Sequence, residues 1–367
     1  MFRFEPLPIW RNKDVRERLS WYHAVMRNKK PAKYLVCKSI ACDIDLKNSS
    51  MEELWVEHNR LANIFKKECG SIKSSDSYDI EYRDKNFLDL KGEIANRILY
   101  KCNLCEWNCN VNRSEGKVGV CRLDKITRVA SWFRHFGEEA PLSNIHGSGT
   151  IFFTGCMFRC AFCQNWSISQ YPLAGEEVNG RKLALIMKEL HDEGAHNINF
   201  VGGEPTPNIH TIIDGMRNLD VNIPMLWNSD MYASIDAMNL IKDIMDIWLP
   251  DFKYGNDNCA RRLSNVPNYF AVVARNHKIA YENGDMIIRH LVLPNHFECC
   301  TKPVLEWISQ NCPRALVNVM DQYYPDYRVA QHPEKYPDIA RRLMGKEIEE
   351  AFQYAKKLGL VYEPVSR

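Results

Sequence analysis

Three closely spaced cysteines constrain this chain more than any other feature. Cys156, Cys160 and Cys163 stand in a C-x3-C-x2-C spacing, directly after the apolar run Thr150-Ile151-Phe152-Phe153, which reads as a buried strand. Three thiolates on so short a loop can hold three irons of a cubane and leave the fourth without a protein ligand. A full protein set for an iron–sulfur cluster uses four cysteines. An open iron can bind a small chelating molecule and pass it an electron. Zinc prefers paired cysteines and a fourth ligand, and no Cys or His follows this loop at matching distance.

The remaining composition narrows the setting. With 48 basic and 46 acidic side chains in 367 residues, the formal net charge is only +2, which points away from nucleic acid or an anionic membrane as the main partner. No apolar run approaches the roughly 20 residues of a membrane span. The start, Met1-Phe2-Arg3-Phe4-Glu5-Pro6, lacks the form of a signal peptide. Fourteen cysteines then indicate metal or redox chemistry in a reducing cytosol, so the expected location is cytoplasmic. A cluster with an exposed iron is oxygen-labile, and an anaerobic setting is expected.

Four segments are expected along the chain. Residues 1–95 form a mostly helical N-terminal extension, with helical patterns over 12–27 and 51–68 and a Ser- and Asp-rich loop over 71–79. Cys37, Cys42 and Cys69 in this region read as structural thiols. Residues 96–145 carry a second cysteine array, Cys102, Cys105, Cys109 and Cys121, spaced C-x2-C-x3-C-x11-C. Four thiols so close together are a complete ligand set for zinc, a single iron or a second cluster, and the spacing does not choose among them. Over 146–330, six short apolar runs alternate with helical patterns, which implies parallel strands with right-handed crossovers. That alternation is shared by open sheets and barrels. Residues 331–367 add a C-terminal helix and tail.

In parallel α/β architectures, functional residues gather at the carboxyl ends of the strands. Here those ends hold Gly202, Gly203 and Glu204; Asn228 and Ser229; and Asp251 and Lys253. Two glycines allow close backbone approach to a ligand, Glu204 can meet an ammonium, and Lys253 can neutralise a carboxylate. Arg289 and His290 sit inside the fifth strand. Together these groups match a zwitterionic amino acid joined to an adenosine.

Residues 88–325 resemble the pyruvate formate-lyase activating enzyme group of radical S-adenosylmethionine (SAM) proteins, especially its branch with an upstream four-cysteine motif. The resemblance rests on residues 102–121, 149–166, 194–205, 247–254 and 287–295. It implies an α/β fold, a partial (β/α)6 barrel, with Cys156, Cys160 and Cys163 ligating a [4Fe-4S] cluster as the catalytic centre. It places Phe162 near adenine, the Gly202-Gly203-Glu204 loop on the SAM amino group, and Asp251 and Lys253 on ribose and carboxylate. Asn228 and Ser229 lie nearby, and His290 joins the cofactor-binding set. Asn228 stands where the activating enzymes have an Asp. The implied activity is reductive cleavage of SAM and hydrogen abstraction from a protein or peptide, with flavodoxin or ferredoxin as reductant. An alternative is a C-methyltransferase that also uses cobalamin, helped by the N-terminal extension. A third reading is a non-catalytic metal-binding redox or interaction protein.

Overall fold

A computed structural model describes residues 8–75 and 80–366. The chain start Met1–Pro6 and part of the loop expected over 71–79 lie outside the described residues. Eight strands form one sheet: β1 (Thr127–His135), β2 (Ser148–Phe153), β3 (Glu176–Val178), β4 (Ile198–Gly202), β5 (Met225–Ser229), β6 (Ile247–Pro250), β7 (Asp285–Leu291) and β8 (Leu316–Met320). Their order is β3-β1-β2-β4-β5-β6-β7-β8. The run from β2 to β8 is parallel throughout, while β1 and β3 add antiparallel strands at one edge. The six parallel strands are those expected from the alternation, and they form a barrel that does not close.

Helices follow the strands on the outside, and their sequences explain why. In Gly180–Asp192 the residues Leu183, Ile186, Met187 and Leu190 are buried at helical spacing, and Asn179 caps the first turn by accepting from Lys182 N at 3.0 Å. Met51–Ser71 begins with a capping box between Ser50 and Glu53. It packs with Phe87–Ile98 against the outer helices, where Lys91 Nζ reaches Asp243 Oδ2 at 2.8 Å and Asn239 O at 3.1 Å. Lys91 is completely buried, so this pair ties the extension to the barrel through a charge that tolerates no loss of its partner.

The first helices have a separate role. Trp10, Val15, Leu19 and Tyr22 pack with Leu226, Ile247, Leu249, Ile287 and Leu316, which point inward from β5 to β8. They plug the amino-terminal end of the strands. Three polar contacts fix the plug: Tyr22 N donates to Asp285 Oδ2 at 2.8 Å, Trp21 Nε1 to Asp246 Oδ1 at 2.8 Å, and Arg18 Nη1 to Pro313 O at 2.8 Å. These helices close the end of the barrel opposite the functional strand ends.

Candidate active site

The carboxyl ends of β2 and β4–β8 surround one cavity. Its lining includes Cys156, Cys160, Phe162 and Cys163 from the loop after β2; Gly202, Gly203 and Glu204 after β4; Asn228, Ser229 and Asp230 at β5; Asp251 and Lys253 after β6; and Arg289 and Leu291 on β7. The structure therefore brings together the expected residues of the three-cysteine and strand-end sets, with one exception.

The exception is His290. Side chains alternate along a strand, so Arg289 and Leu291 face the cavity while His290 points into the surrounding core. Its Nδ1 lies 2.7 Å from Phe252 O and its Nε2 lies 3.0 Å from Thr301 Oγ1, and burial lowers its pKa to about 4. It is a neutral packing residue, and its neighbour Arg289 is the one that reaches the site.

Cys156 and Cys160 are buried, Cys163 is half-buried, and each sulfur has a close polar companion. Phe158 N donates to Cys156 Sγ at 3.2 Å, Ser264 Oγ donates to Cys160 Sγ at 3.0 Å, and Ser169 Oγ lies 3.3 Å from Cys163 Sγ. Burial pushes all three thiols up in pKa, so a bound cation is needed to hold them as thiolates. Such hydrogen bonds to sulfur also tune a cluster's potential. Cys156, Cys160 and Cys163 would hold a cluster that takes three protein thiolates, and their donor set fits one.

The rest of the cavity is acidic. Glu204 is 1 % exposed and accepts from Ser229 Oγ at 2.6 Å, Asp230 N at 2.9 Å and Thr206 N at 3.2 Å. Burial, then Asp230, raises its pKa to about 7. Asp230 accepts Lys253 Nζ at 2.6 Å, and its other oxygen lies 3.7 Å from Cys156 Sγ. Lys253 also binds Asp251; burial opposes its charge, but the two carboxylates outweigh burial and hold its pKa well above the ordinary value. Arg289 pairs through Nε with Glu139 Oε1 at 2.7 Å, binds Glu138, and reaches Asn228 Oδ1 at 3.4 Å. The two cations are thus matched by more carboxylates than they can neutralise, which suits a cationic ligand. Asn228 Nδ2 is buried without a partner at the cavity wall, a donor available to such a ligand.

The two cavity-lining glycines also serve the protein's own packing. A Cβ at Gly202 would lie 2.2 Å from Phe153 N, and one at Gly203 would lie 2.1 Å from Gly155 O. They let the β4 loop press against the backbone at the end of β2 and the start of the three-cysteine loop.

The four-cysteine segment docks beside this loop. Trp107 Nε1 donates to Met157 O at 3.2 Å, Arg159 donates to Val120 O, and Glu106 N donates to Tyr232 O at 3.2 Å. Burial raises the pKa of Cys105, and the charges of Cys121, Cys102 and Cys109 raise it further.

Residues 150–308 match the family described as the Radical SAM superfamily. This chain belongs to the radical SAM superfamily. Membership implies an enzyme with a [4Fe-4S] cluster and SAM, and the cavity's sulfurs and carboxylates fit both. A protein of Methanocaldococcus jannaschii, uncharacterized protein MJ0674, is 43% identical over 354 residues, covering 94% of this chain and all of that one. A second from the same organism, MJ0808, is 21% identical over 281 residues, 69% of this chain and 79% of that one. Among solved structures, the radical SAM chain is similar to Streptococcus suis SuiB bound to precursor peptide SuiA, with TM-score 0.44 and 10% identity over 84% of this chain and 60% of that one. It is also similar to a domain of pyruvate-formate lyase-activating enzyme from Bacteroides vulgatus, with TM-score 0.35 and 17% identity over 45% of this chain and 96% of that domain. No helix among the described residues is long and apolar enough to cross a membrane.

Sequence reasoning missed Glu138 and Glu139, and it placed Asp230 and Arg289 among the strand-end groups without giving either a role of its own. Asp230 directly follows Asn228 and Ser229, and Arg289 shares the inward face with Leu291, so strand period alone could have selected both. Glu138 and Glu139 lie between β1 and β2 and carried no signal.

Proposed function

We propose that this chain cleaves SAM reductively and uses the resulting radical to abstract hydrogen from a residue of a protein or peptide. The observation that carries this reading is the cavity in which three cysteine sulfurs face an excess of carboxylates. When bound, a reduced [4Fe-4S] cluster supplies the electron that splits SAM into methionine and a 5′-deoxyadenosyl radical.

The chain's residues bind, orient and exclude water. Cys156, Cys160 and Cys163 hold the cluster. Glu204 accepts the ammonium of SAM, and the surplus negative charge of Asp230 and Asp251 offsets its sulfonium. Lys253, already paired, holds Asp230 and Asp251 in place and meets a carboxylate as a secondary role. Asn228 Nδ2 and Ser229 serve the polar edge of the ligand, and Phe162 offers a ring for adenine. Cys102, Cys105, Cys109 and Cys121 hold a second metal centre, close enough to the first loop to share hydrogen bonds with it. Four segments follow from this reading: 1–95, 96–145, 146–330 and 331–367.

A polymeric substrate is supported at the rim. The chain neighbours of cavity-lining Gln170 and Gln322 include Tyr171, Leu173 and Tyr324, which are exposed apolar side chains suited to a polypeptide. The test is an anaerobic assay of the reconstituted, dithionite-reduced protein with SAM, read by mass spectrometry. 5′-Deoxyadenosine alone supports hydrogen abstraction. S-adenosylhomocysteine in addition, with added cobalamin, replaces that reading with C-methyl transfer. Neither product rejects the assignment of the cavity.

A further inference from the structure

A cysteine array outside the cavity was not selected from the sequence. Cys259 lies in the first turn of the helix Asp257–Ser264, which follows β6. His296, Cys299 and Cys300 lie after β7, where Phe297–Thr301 forms one π-helical turn. Such turns are rare and are found mostly at functional sites. The four ligand atoms all lie within 4.8 Å of one another, the one such group of Cys, His, Asp or Glu among the described residues.

We propose that Cys259, His296, Cys299 and Cys300 bind one zinc ion. Cys259 Sγ and Cys300 Sγ each lie 3.9 Å from Cys299 Sγ. His296 Nδ1 lies 3.3 Å from Cys299 Sγ and 3.7 Å from each of the other two sulfurs. A tetrahedron with bonds of ~2.3 Å to sulfur and ~2.0 Å to nitrogen has edges of about 3.8 Å and about 3.5 Å. The side chains already outline that figure. All three cysteines are free thiols.

The surroundings match a metal site as well. Asp338 Oδ2 lies 2.8 Å from His296 Nε2, and Arg262 binds Asp338 while lying 3.3 Å from the same nitrogen. A carboxylate on the far ring nitrogen leaves the Nδ1 lone pair for the metal, the usual outer partner of a zinc-bound histidine. Asn256 Nδ2 donates to Cys259 Sγ at 3.4 Å. Gly255 permits the close packing, since a Cβ there would lie 2.7 Å from Cys299 O. Cys299 is exposed and gives the ion a way in.

Four protein ligands close the coordination sphere, so the site holds structure together and carries no reaction. What it holds is specific. The helix that starts beside Cys259 ends at Ser264, whose hydroxyl donates to Cys160 Sγ at 3.0 Å and whose carbonyl accepts Arg159 N at 2.9 Å. Leu263 O accepts Ala161 N at 2.7 Å. The ion fixes one end of a helix whose other end shapes the three-cysteine loop.

The test uses the full-length wild-type protein, with zinc measured by elemental analysis and thiols mapped by iodoacetamide labelling and peptide mass spectrometry. Cys259, Cys299 and Cys300 should be protected in the zinc-loaded protein. Labelling should rise at least tenfold after chelation and fall again when Zn2+ is restored. Cys299→Ser should lose one zinc equivalent relative to wild type, and Asp338→Asn should keep the ion with an affinity about 10–100-fold weaker. Equal labelling of Cys299 with and without added Zn2+ overturns the proposal, as does a Cys299→Ser protein with wild-type zinc content. Peptide mapping reports the four-cysteine segment separately, and the labelling arm needs no variant to fold.

Discussion

The two ends of the barrel both carry buried carboxylates, and they use them in opposite ways. At the amino end, Asp246 and Asp285 receive N–H groups from Trp21, Tyr22, Lys33 and Met225, and apolar side chains fill the space around them. At the carboxyl end, Glu204, Asp230 and Asp251 surround a cavity in which Asp230 and Asp251 share one lysine and Asn228 Nδ2 is unpartnered. A buried carboxylate whose partners are all supplied by the fold is a fastener. One whose charge exceeds its protein partners is a socket. The comparison separates stability from chemistry, and it can be broken experimentally.

The largest effect should come from Cys156→Ala. It should lower 5′-deoxyadenosine formation by at least about a thousandfold, about 4 kcal/mol of barrier, while the melting temperature stays near that of wild type. Retained activity would remove the cavity from the chemistry. Next is Arg289→Met, which leaves Glu138 and Glu139 buried without their cation and should cost about 3–5 kcal/mol in urea unfolding. A wild-type midpoint would mean that these carboxylates are neutral. At the opposite end, Trp10→Ala should cost about 3 kcal/mol, with unchanged turnover by the folded fraction. A loss of turnover there would show that the plug communicates with the cavity.

The smallest expected effect is in pH. Burial raises the pKa of Asp285 to about 7, although the backbone N–H of Tyr22 opposes the shift. The folded state then holds a proton that the unfolded chain has already released near pH 4. Stability from this group is full at low pH and declines as pH rises from about 4 to about 7. Asp285→Asn should flatten that decline in thermal melts at pH 5 and pH 8, and an unchanged slope would assign the dependence elsewhere.

Much of the barrel was legible in the sequence because its parallel strands are continuous apolar runs. The three-cysteine loop and the strand-end residues were legible because both follow such runs directly. β1 escaped notice: Thr127–His135 is half-buried, with Arg128, Ser131, Arg134 and His135 among its residues, and it pairs antiparallel with β2 and β3. The helix Phe87–Ile98 was missed for a similar reason, since its buried face includes Lys91 and Gly92. His290 was selected by chemical type without asking which face of the strand it occupies. The Cys259 array stayed hidden because Cys259 is 37 residues from His296, and it is the π turn that brings Cys299 and Cys300 to the same point as His296. The plug was unreadable because nothing local in Trp10–Tyr22 names β5–β8 as its partner.

That plug has a consequence for how the chain is made. Arg18 and its acceptor Pro313 are separated by 295 residues. At roughly 5–20 residues per second, synthesis needs roughly 15–60 s to deliver that acceptor after the first helices have emerged. Through that interval Trp10, Val15, Leu19 and Tyr22 have no strands to cover. The nascent chain therefore presents an apolar surface until the last strands arrive, and docking of the plug on them is its final long-range step.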